Sequence, residues 1–254
     1  MNRAGVDAAP EHTPLFSPRL LTRLTAGIAL LCALTLTVSV AGRWAGERLA
    51  LSGHTEDTTP VDILIGEDHL RFPANVIRFD EQRVTGQAER VDLYLLWPEM
   101  EGYSNGNRLR FNDVSHPESL IFLQLSQSTM SKDMSGRLAP IYERLFEDAG
   151  QAGPAGLTLR RLRDQSGYGN EVFLTAPLNA GSDYAVRCML PQNDTLSTSA
   201  DCQRDIHLGE DLSVLYRFSS RLLPQWRAME TAVRAYVEGR LVAGGLKTSR
   251  NAFR

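Results

Sequence analysis

Lysine is almost absent from this chain of 254 residues, because only Lys132 and Lys247 occur among its 27 basic residues. The arginines that supply the rest are scattered and are balanced by 30 carboxylates, which gives a formal net charge of −3. This distribution excludes the basic patch that a nucleic-acid-binding surface requires. A hydrophobic content of 43% in turn excludes a chain that is disordered throughout.

Signatures of several common enzyme mechanisms are also missing. The sequence has no H-E-x-x-H zinc motif, no P-loop, no dinucleotide-binding glycine pattern, no C-x-x-C pair and no calcium loop. The histidines His54, His69, His116 and His207 are isolated from one another along the chain. We therefore assign no catalytic residue, no metal ligand and no cofactor from the sequence.

The longest hydrophobic run lies near the N-terminus. Residues 24–42 contain no charged side chain and are bracketed by Arg23 and Arg43. At about 1.5 Å per residue, this length spans the hydrocarbon core of a bilayer, which is about 30 Å thick. An uncleaved signal-anchor helix over residues 19–43 is the preferred interpretation. A cleaved signal peptide is the alternative, because residues 39–41 (SVA) resemble a small-residue cleavage site.

Charges on either side of this run predict the orientation of the chain. More arginines precede the run than follow it closely, and this slight positive-inside bias keeps the N-terminus in the cytoplasm. The chain is then a single-pass protein of a bacterial inner membrane whose C-terminal domain lies in the periplasm. The predicted regions are a disordered cytoplasmic lead over 1–18, the signal-anchor helix, a tether over 44–60, a periplasmic domain over 61–243 and a basic flexible tail over 244–254.

The cysteines are divided between the two predicted environments. Cys32 lies within the membrane run as a small apolar side chain. Cys188 and Cys202 lie in the exported part, each beside a strand-like run, and an oxidising compartment favours a disulfide between them. A metal site that uses both cysteines and His207 is the alternative, although the paired spacing typical of zinc sites is missing.

Alternation of apolar and polar residues with a period of two predicts strands throughout the exported part. Runs rich in glycine, proline and asparagine separate these strands. We expect an α+β fold in which about eight strands form a mostly antiparallel sheet. The predicted strands cover residues 61–65, 69–72, 91–97, 119–125, 157–162, 171–175, 184–190, 203–208 and 212–218.

Two helices are predicted within the same domain. Residues 137–149, in mid-chain, place apolar side chains three and four positions apart and end before Gly150. The C-terminal segment from Ser220 to Val242 has a stronger apolar stripe, and Pro224 falls in its first turn. Both amphipathic helices should pack against a face of the sheet.

A loop rich in aromatic and polar residues follows the predicted strand 91–97. It contains Trp97, Glu99, Tyr103 and Asn105, and exposed aromatic side chains on a loop are typical of ligand or partner sites. These four residues form the candidate partner or ligand loop. The alternative is that the segment only ends the strand, with Trp97 packed inward and Tyr103 covering the sheet edge.

Four short stretches carry a resemblance to known sequences: residues 73–79 (PANVIRF), 92–98 (DLYLLWP), 133–137 (DMSGR) and 216–218 (YRF). They resemble an uncharacterised group of bacterial membrane-anchored proteins, mostly of rhizobial type. The resemblance implies an inner-membrane protein with a periplasmic domain, and it carries over no site residues.

These features favour a non-enzymatic interaction or envelope-associated module held by one membrane span. Its expected partners are the membrane itself and an envelope protein, but not nucleic acid. The alternatives are an envelope hydrolase with an unrecognised site and an accessory subunit of a transport or secretion assembly. Titratable groups that converge in one cleft would mark the hydrolase, and a large exposed apolar patch would mark the accessory subunit.

Overall fold

The computed structural model describes residues 18–51, 53–178 and 183–242. The chain divides into two units, residues 1–52 and residues 53–254. The lead predicted over 1–18, apart from Pro18, and the tail predicted over 244–254 lie outside the described residues.

The first unit contains one long helix, α1, which runs over Pro18–Leu51. Its stretch Leu21–Val40 has exposed side chains and is long and apolar enough to cross a membrane. The hydroxyls of Thr25, Thr35 and Thr37 donate to carbonyls four residues earlier at 2.8–2.9 Å, so these polar groups are satisfied within the helix. The predicted N-terminal apolar helix is confirmed. Its length, composition and position are those of a membrane anchor and equally of a signal sequence.

The second unit is dominated by strands, which pair into two sheets. The larger sheet has eight strands in the order β4-β5-β11-β10-β9-β8-β7-β6, all antiparallel to their neighbours, and the smaller has the order β2-β1-β3. The strands are β1 Pro60–Ile65, β2 Asp68–Pro73, β3 Gly86–Gln87, β4 Arg90–Leu96, β5 Leu120–Gln127, β6 Gln151–Ala152, β7 Thr158–Arg161, β8 Val172–Pro177, β9 Asp183–Cys188, β10 Cys202–Leu208 and β11 Leu212–Phe218.

The α+β fold class with a mostly antiparallel sheet is confirmed, because every predicted strand run overlaps an observed strand. Sequence periodicity missed β3 and β6. Each of these strands has two residues, and alternation needs a longer run to be visible.

One face of the larger sheet forms the main core. Successive side chains of a strand point to opposite faces, so alternate residues of the central strands are buried there against the smaller sheet and the C-terminal helix. The buried positions on three of these strands are Val91, Leu93 and Leu95 of β4, Ile121, Leu123 and Leu125 of β5, and Val214, Tyr216 and Phe218 of β11.

The predicted C-terminal helix is confirmed, although it begins as a 3-10 turn over Ser220–Gln225 before α3, Trp226–Glu238. Trp226 is 1% exposed, and its ring centroid lies 4.4 Å from that of Tyr184. Its Nε1 donates to the Ala155 carbonyl at 3.2 Å. Burial of an aromatic side chain of this size contributes several kcal/mol, so α3 is an integral part of the core.

The larger sheet is interrupted between β9 and β10. Their ladder ends after two residue pairs, the first of which joins Cys188 and Cys202. Arg204 directly follows the second of these pairs on β10 and is 1% exposed. Its Nη1 donates to the Ala185 carbonyl of β9 at 2.8 Å. A guanidinium therefore satisfies a strand carbonyl that the interrupted ladder leaves without its usual partner.

The counter-charge for this buried arginine comes from α3. Glu230 accepts hydrogen bonds from Arg204 Nε at 2.9 Å, Tyr216 Oη at 2.7 Å and Arg234 Nε at 2.8 Å. Burial raises the pKa of Glu230, but the hydrogen bonds and the charge of Arg204 outweigh burial and lower this pKa to about 2. The carboxylate is therefore ionised, and the pair joins α3 to the interrupted part of the sheet.

The mid-chain helix predicted over 137–149 is wrong. Turns and bends occupy this segment, apart from one short 3-10 turn at Tyr142–Leu145 and a β-bridge from Phe146 to Leu162. Pro140 explains the difference, because it has no N–H to donate and disfavours the helical conformation at Ala139. The apolar residues still reach the second face of the sheet, where Leu138, Tyr142 and Phe146 are buried with Phe173.

The predicted disulfide between Cys188 and Cys202 is confirmed. The two residues face each other in the β9–β10 ladder, with their Cα atoms 4.0 Å apart. Closing a loop of about 15 residues contributes roughly 3 kcal/mol in the chain-entropy model. The bond fixes β9 to β10 immediately before the ladder ends. His207, from the alternative metal site, instead contacts Ser128 at 2.9 Å.

Candidate functional site

The second face of the larger sheet is covered in two places. A cluster around Phe173 covers strands β7 to β9, and an aromatic cluster of Tyr94, Tyr103 and Phe111 covers part of β4 and β5. The strands between these clusters carry partly or fully exposed side chains, which we call the open face. Its members are Gln124 and Ser126 of β5, Gln203, Asp205 and His207 of β10, and Ser213, Leu215 and Arg217 of β11.

A shallow cavity of about 190 Å³ lies in the open face. Strand register places Arg217 opposite Phe122 and Leu215 opposite Gln124. Arg78 reaches the same place from the segment beside β4, with its Cζ 5.0 Å from the centroid of the Phe122 ring. We call this feature the arginine cavity, and it is lined by Arg78, Asp92, Leu93, Phe122, Leu123, Gln124, Ala200, Leu215 and Arg217.

The arginine cavity carries an excess of positive charge. Asp92 is already paired with Arg90, whose Nε lies 2.8 Å from the carboxylate. Asp205, the carboxylate of the open face, pairs with Arg137 at 2.5 Å. Across the described parts of the chain, neither arginine that lines the cavity has an acidic partner. The cavity therefore offers two cationic side chains to an anionic group from outside.

The aromatic residues of the predicted partner loop lie in the interior. Trp97 is 6% exposed, and its Nε1 donates to Gln225 Oε1 at 2.9 Å. Tyr103 is also buried, and its ring stacks on that of His54 with centroids 4.6 Å apart. These two positions match the alternative interpretation, in which Trp97 packs inward and Tyr103 covers the sheet edge.

The polar residues of that loop lie at the surface. Glu99 forms an ion pair with Arg110 at 2.8 Å, and the Asn105 side chain donates to Glu56. The structure thus brings neither Glu99 nor Asn105 to the arginine cavity, and both already have partners within the domain.

The start of the second unit is fixed by the aromatic cluster. His54 Nδ1 lies 3.0 Å from Tyr94 Oη, and the Gly53 carbonyl accepts from Arg83. The predicted tether, residues 44–60, therefore divides into two parts. Residues 44–51 belong to α1, and Gly53 and His54 are bound to the domain. Burial lowers the pKa of His54, and the positive charge of Arg83 adds to this effect against the hydrogen bond with Asn112. Burial raises the pKa of Tyr94 to about 12.

One histidine does meet both an aspartate and a serine. His116 Nδ1 lies 2.7 Å from Asp113 Oδ2 and 3.1 Å from Ser115 Oγ. In a catalytic triad the carboxylate and the serine bind opposite ring nitrogens, whereas here both lie at Nδ1. The His116 side chain is also 61% exposed, so the arrangement does not form the cleft that a hydrolase requires.

A second serine–histidine contact lies at the edge of the open face. Ser128 Oγ is 2.9 Å from His207 Nε2 and donates to the Met130 carbonyl at 2.7 Å. Because the single hydroxyl proton is used on that carbonyl, His207 donates to the serine. This is the reverse of the proton transfer that activates a nucleophilic serine.

The loop after β4 also has a G-x-S-x-G spacing over residues 102–106 (GYSNG), which sequence reasoning missed. In α/β-hydrolases this spacing places the serine on a sharp turn from a strand directly into a helix. Ser104 lies well beyond the end of β4 at Leu96, and its N–H donates to Asn107 Oδ1 at 2.8 Å. The helix that follows, α2 at Arg108–Asn112, has five residues, so the segment is a capped turn rather than a nucleophile elbow.

The arginine cavity was missed by sequence reasoning. Both arginines fall within stretches that carry the family resemblance, 73–79 and 216–218, but that resemblance carries over no site residues. Arg217 lies at an outward position of a predicted strand. A polar residue at an alternate strand position is the ordinary sign of solvent exposure. The pairing of β5 with β11 places Arg217 opposite Phe122, and the pairing of β5 with β4, to which the Arg78 backbone is bound, brings Arg78 to the same place.

No protein-family model and no curated protein matches this chain. Solved structures that resemble it include Smlt3025, an immunity protein of the Stenotrophomonas maltophilia type IV secretion system, with 18% identity, a TM-score of 0.49, and coverage of 75% of this chain and 96% of that one. The iron-regulated outer membrane lipoprotein FrpD of Neisseria meningitidis has 11% identity, a TM-score of 0.44, and coverage of 74% and 97%. At these values neither structure transfers a function.

The lowered pKa of His54 predicts a pH dependence of stability. The fold favours the neutral ring, so its contribution is complete above the unfolded-state pKa of about 6.5 and falls as pH decreases through that value. We expect His54→Phe, which keeps an aromatic ring in the cluster, to lose less stability between pH 7.5 and pH 5 than the unmodified chain. Urea unfolding of the full chain in detergent at both pH values measures this difference. Equal losses in the two proteins would contradict it.

Proposed function

We propose that this chain is a non-enzymatic interaction module, held in a bacterial inner membrane by α1, whose second unit binds a protein partner in the periplasm. The observation that carries the proposal is the open face. One side of the larger sheet is closed by a complete core, while the central strands of the other side are accessible. Arg217 of β11 and the neighbouring Arg78 have no acidic partner among the described residues.

The compartment is inferred from covalent chemistry and charge. A disulfide such as Cys188–Cys202 forms and persists in oxidising compartments. The bias of arginines toward the N-terminal side of the apolar run keeps that side in the cytoplasm. The resemblance to bacterial membrane-anchored proteins agrees with the same arrangement.

A protein partner fits the arginine cavity better than a drug-sized small molecule does. Pockets for drug-sized ligands usually enclose about 300–1,000 Å³, whereas the arginine cavity has about 190 Å³. Around it lie uncharged donors and acceptors such as Gln124, Gln203 and Ser213. Arginine is enriched in protein–protein interfaces relative to the rest of a protein surface.

Orientation is tested with a reporter that folds only in an oxidising compartment. Alkaline phosphatase fused after Val242 should be active in intact cells, and the fusion should stay in the membrane fraction. A fusion that is inactive, although present at normal level, would contradict the periplasmic location. Release of an active fusion into the soluble fraction would contradict the uncleaved anchor.

Partner binding is tested by blocking the open face outside the arginine cavity. Ser213 is partly exposed beside Ser126 and His207, so Ser213→Trp should hinder docking without disturbing the core. The full chain purified from membranes should carry a co-purifying protein, and Ser213→Trp should reduce its amount about tenfold. Val84→Trp, at an exposed position outside the sheet faces, is the matched control. Equal recovery with all three proteins would contradict the proposed function.

A further inference from the structure

The arginine cavity has the geometry of a site for one charged side chain. Arg78 lies 5.0 Å from the centroid of the Phe122 ring, and Arg217, which pairs with Phe122 in the strand register, lines the same cavity. Leu215 supplies a second apolar surface, and Gln124 supplies hydrogen-bonding groups on the same floor. A small cavity with an apolar floor and cationic sides suits an acidic side chain whose methylene groups pack below its carboxylate.

Arg78 is held in place before any partner arrives. Its N–H donates to the Asp92 carbonyl at 2.8 Å, so the backbone is attached to β4. Its guanidinium carbon lies 5.0 Å from the ring centroids of both Phe79 and Phe122. Side chains that are ordered in advance lose less conformational entropy on binding, which favours affinity and specificity.

The charged side chains around the cavity indicate that its ligand is negatively charged. Asp92, the acidic residue of the lining, is occupied by Arg90 and accepts from Gln82 at 2.9 Å. The two remaining arginines both line the cavity, and each guanidinium presents several donors to a planar acceptor. A carboxylate is the planar anionic acceptor that a protein partner provides.

We propose that the arginine cavity binds an aspartate or glutamate side chain of the partner protein, between the guanidinium groups of Arg78 and Arg217. This inference rests on the proposed function, because it assigns the chemistry of the same open face. The carboxylate is the central polar contact of the interface, and Phe122 and Leu215 support the chain segment that carries it.

Site-specific photocrosslinking in cells tests this contact with the full chain in its membrane. The probe is p-benzoylphenylalanine introduced at Leu215, on the floor of the cavity. We expect a protein adduct whose crosslinked peptide contains an aspartate or glutamate. Arg78→Gln and Arg217→Gln should each reduce the adduct about tenfold, because removing one partner of a charge pair weakens binding by at least that factor. Arg144→Gln, at an exposed arginine outside the open face, should leave it unchanged.

A charge exchange then distinguishes direct pairing from a general effect of charge. Arg217→Glu should abolish the adduct, and replacing the identified partner carboxylate with arginine should restore it. An adduct that persists in the Arg78→Gln/Arg217→Gln double variant would overturn the carboxylate assignment. So would an adduct with lipid alone, or a missing adduct when co-purification still depends on Ser213. A missing adduct together with co-purification that ignores Ser213→Trp would instead overturn the proposed function itself.

Discussion

The ion pair between Arg204 and Glu230 lies where the backbone hydrogen bonds between β9 and β10 end. The β9–β10 ladder ends after two pairs, and the Arg204 guanidinium bonds both the Ala185 carbonyl of β9 and the carboxylate of α3. Removing Glu230 would leave the Arg204 guanidinium buried without its carboxylate, whereas removing Arg204 would leave Glu230 with Arg234 as its ionic partner. The pair therefore couples the docking of α3 to the continuity of the sheet, while the disulfide fixes the strands beside the gap.

This arrangement gives the two faces of the sheet different roles. The core face is closed by α3 and the smaller sheet, with Trp226 and Tyr216 among its fully buried residues. The second face is covered over its flanks and accessible over β5, β11 and β10. Because the buried face supplies the stability of the domain, the accessible face can carry polar side chains without disturbing the core. The arginine cavity, with Arg78 and Arg217, lies in this accessible region.

Local signals in the sequence predicted most of the fold, because alternation and helical stripes depend on neighbouring residues. Strands, the C-terminal helix and the disulfide follow this rule. The segment 137–149 failed because its apolar spacing is satisfied by turns around Pro140, which bury the same residues without a helix. The candidate site followed no local signal. Arg78 and Arg217 meet only through strand pairing, whereas the conspicuous Trp97 and Tyr103 serve the interior.

A double-mutant cycle on the buried pair tests the account most directly. Urea unfolding of the full chain in detergent would be followed for Arg204→Met, Glu230→Leu and the double variant. The account predicts that Glu230→Leu lowers the free energy of unfolding by about 3–5 kcal/mol and that Arg204→Met lowers it by less, because Arg234 still pairs with Glu230. The loss in the double variant should be smaller than the sum of the two single losses, because no unpaired charge then stays buried. Losses that are below about 1 kcal/mol, or that simply add in the double variant, would contradict the role assigned to this pair.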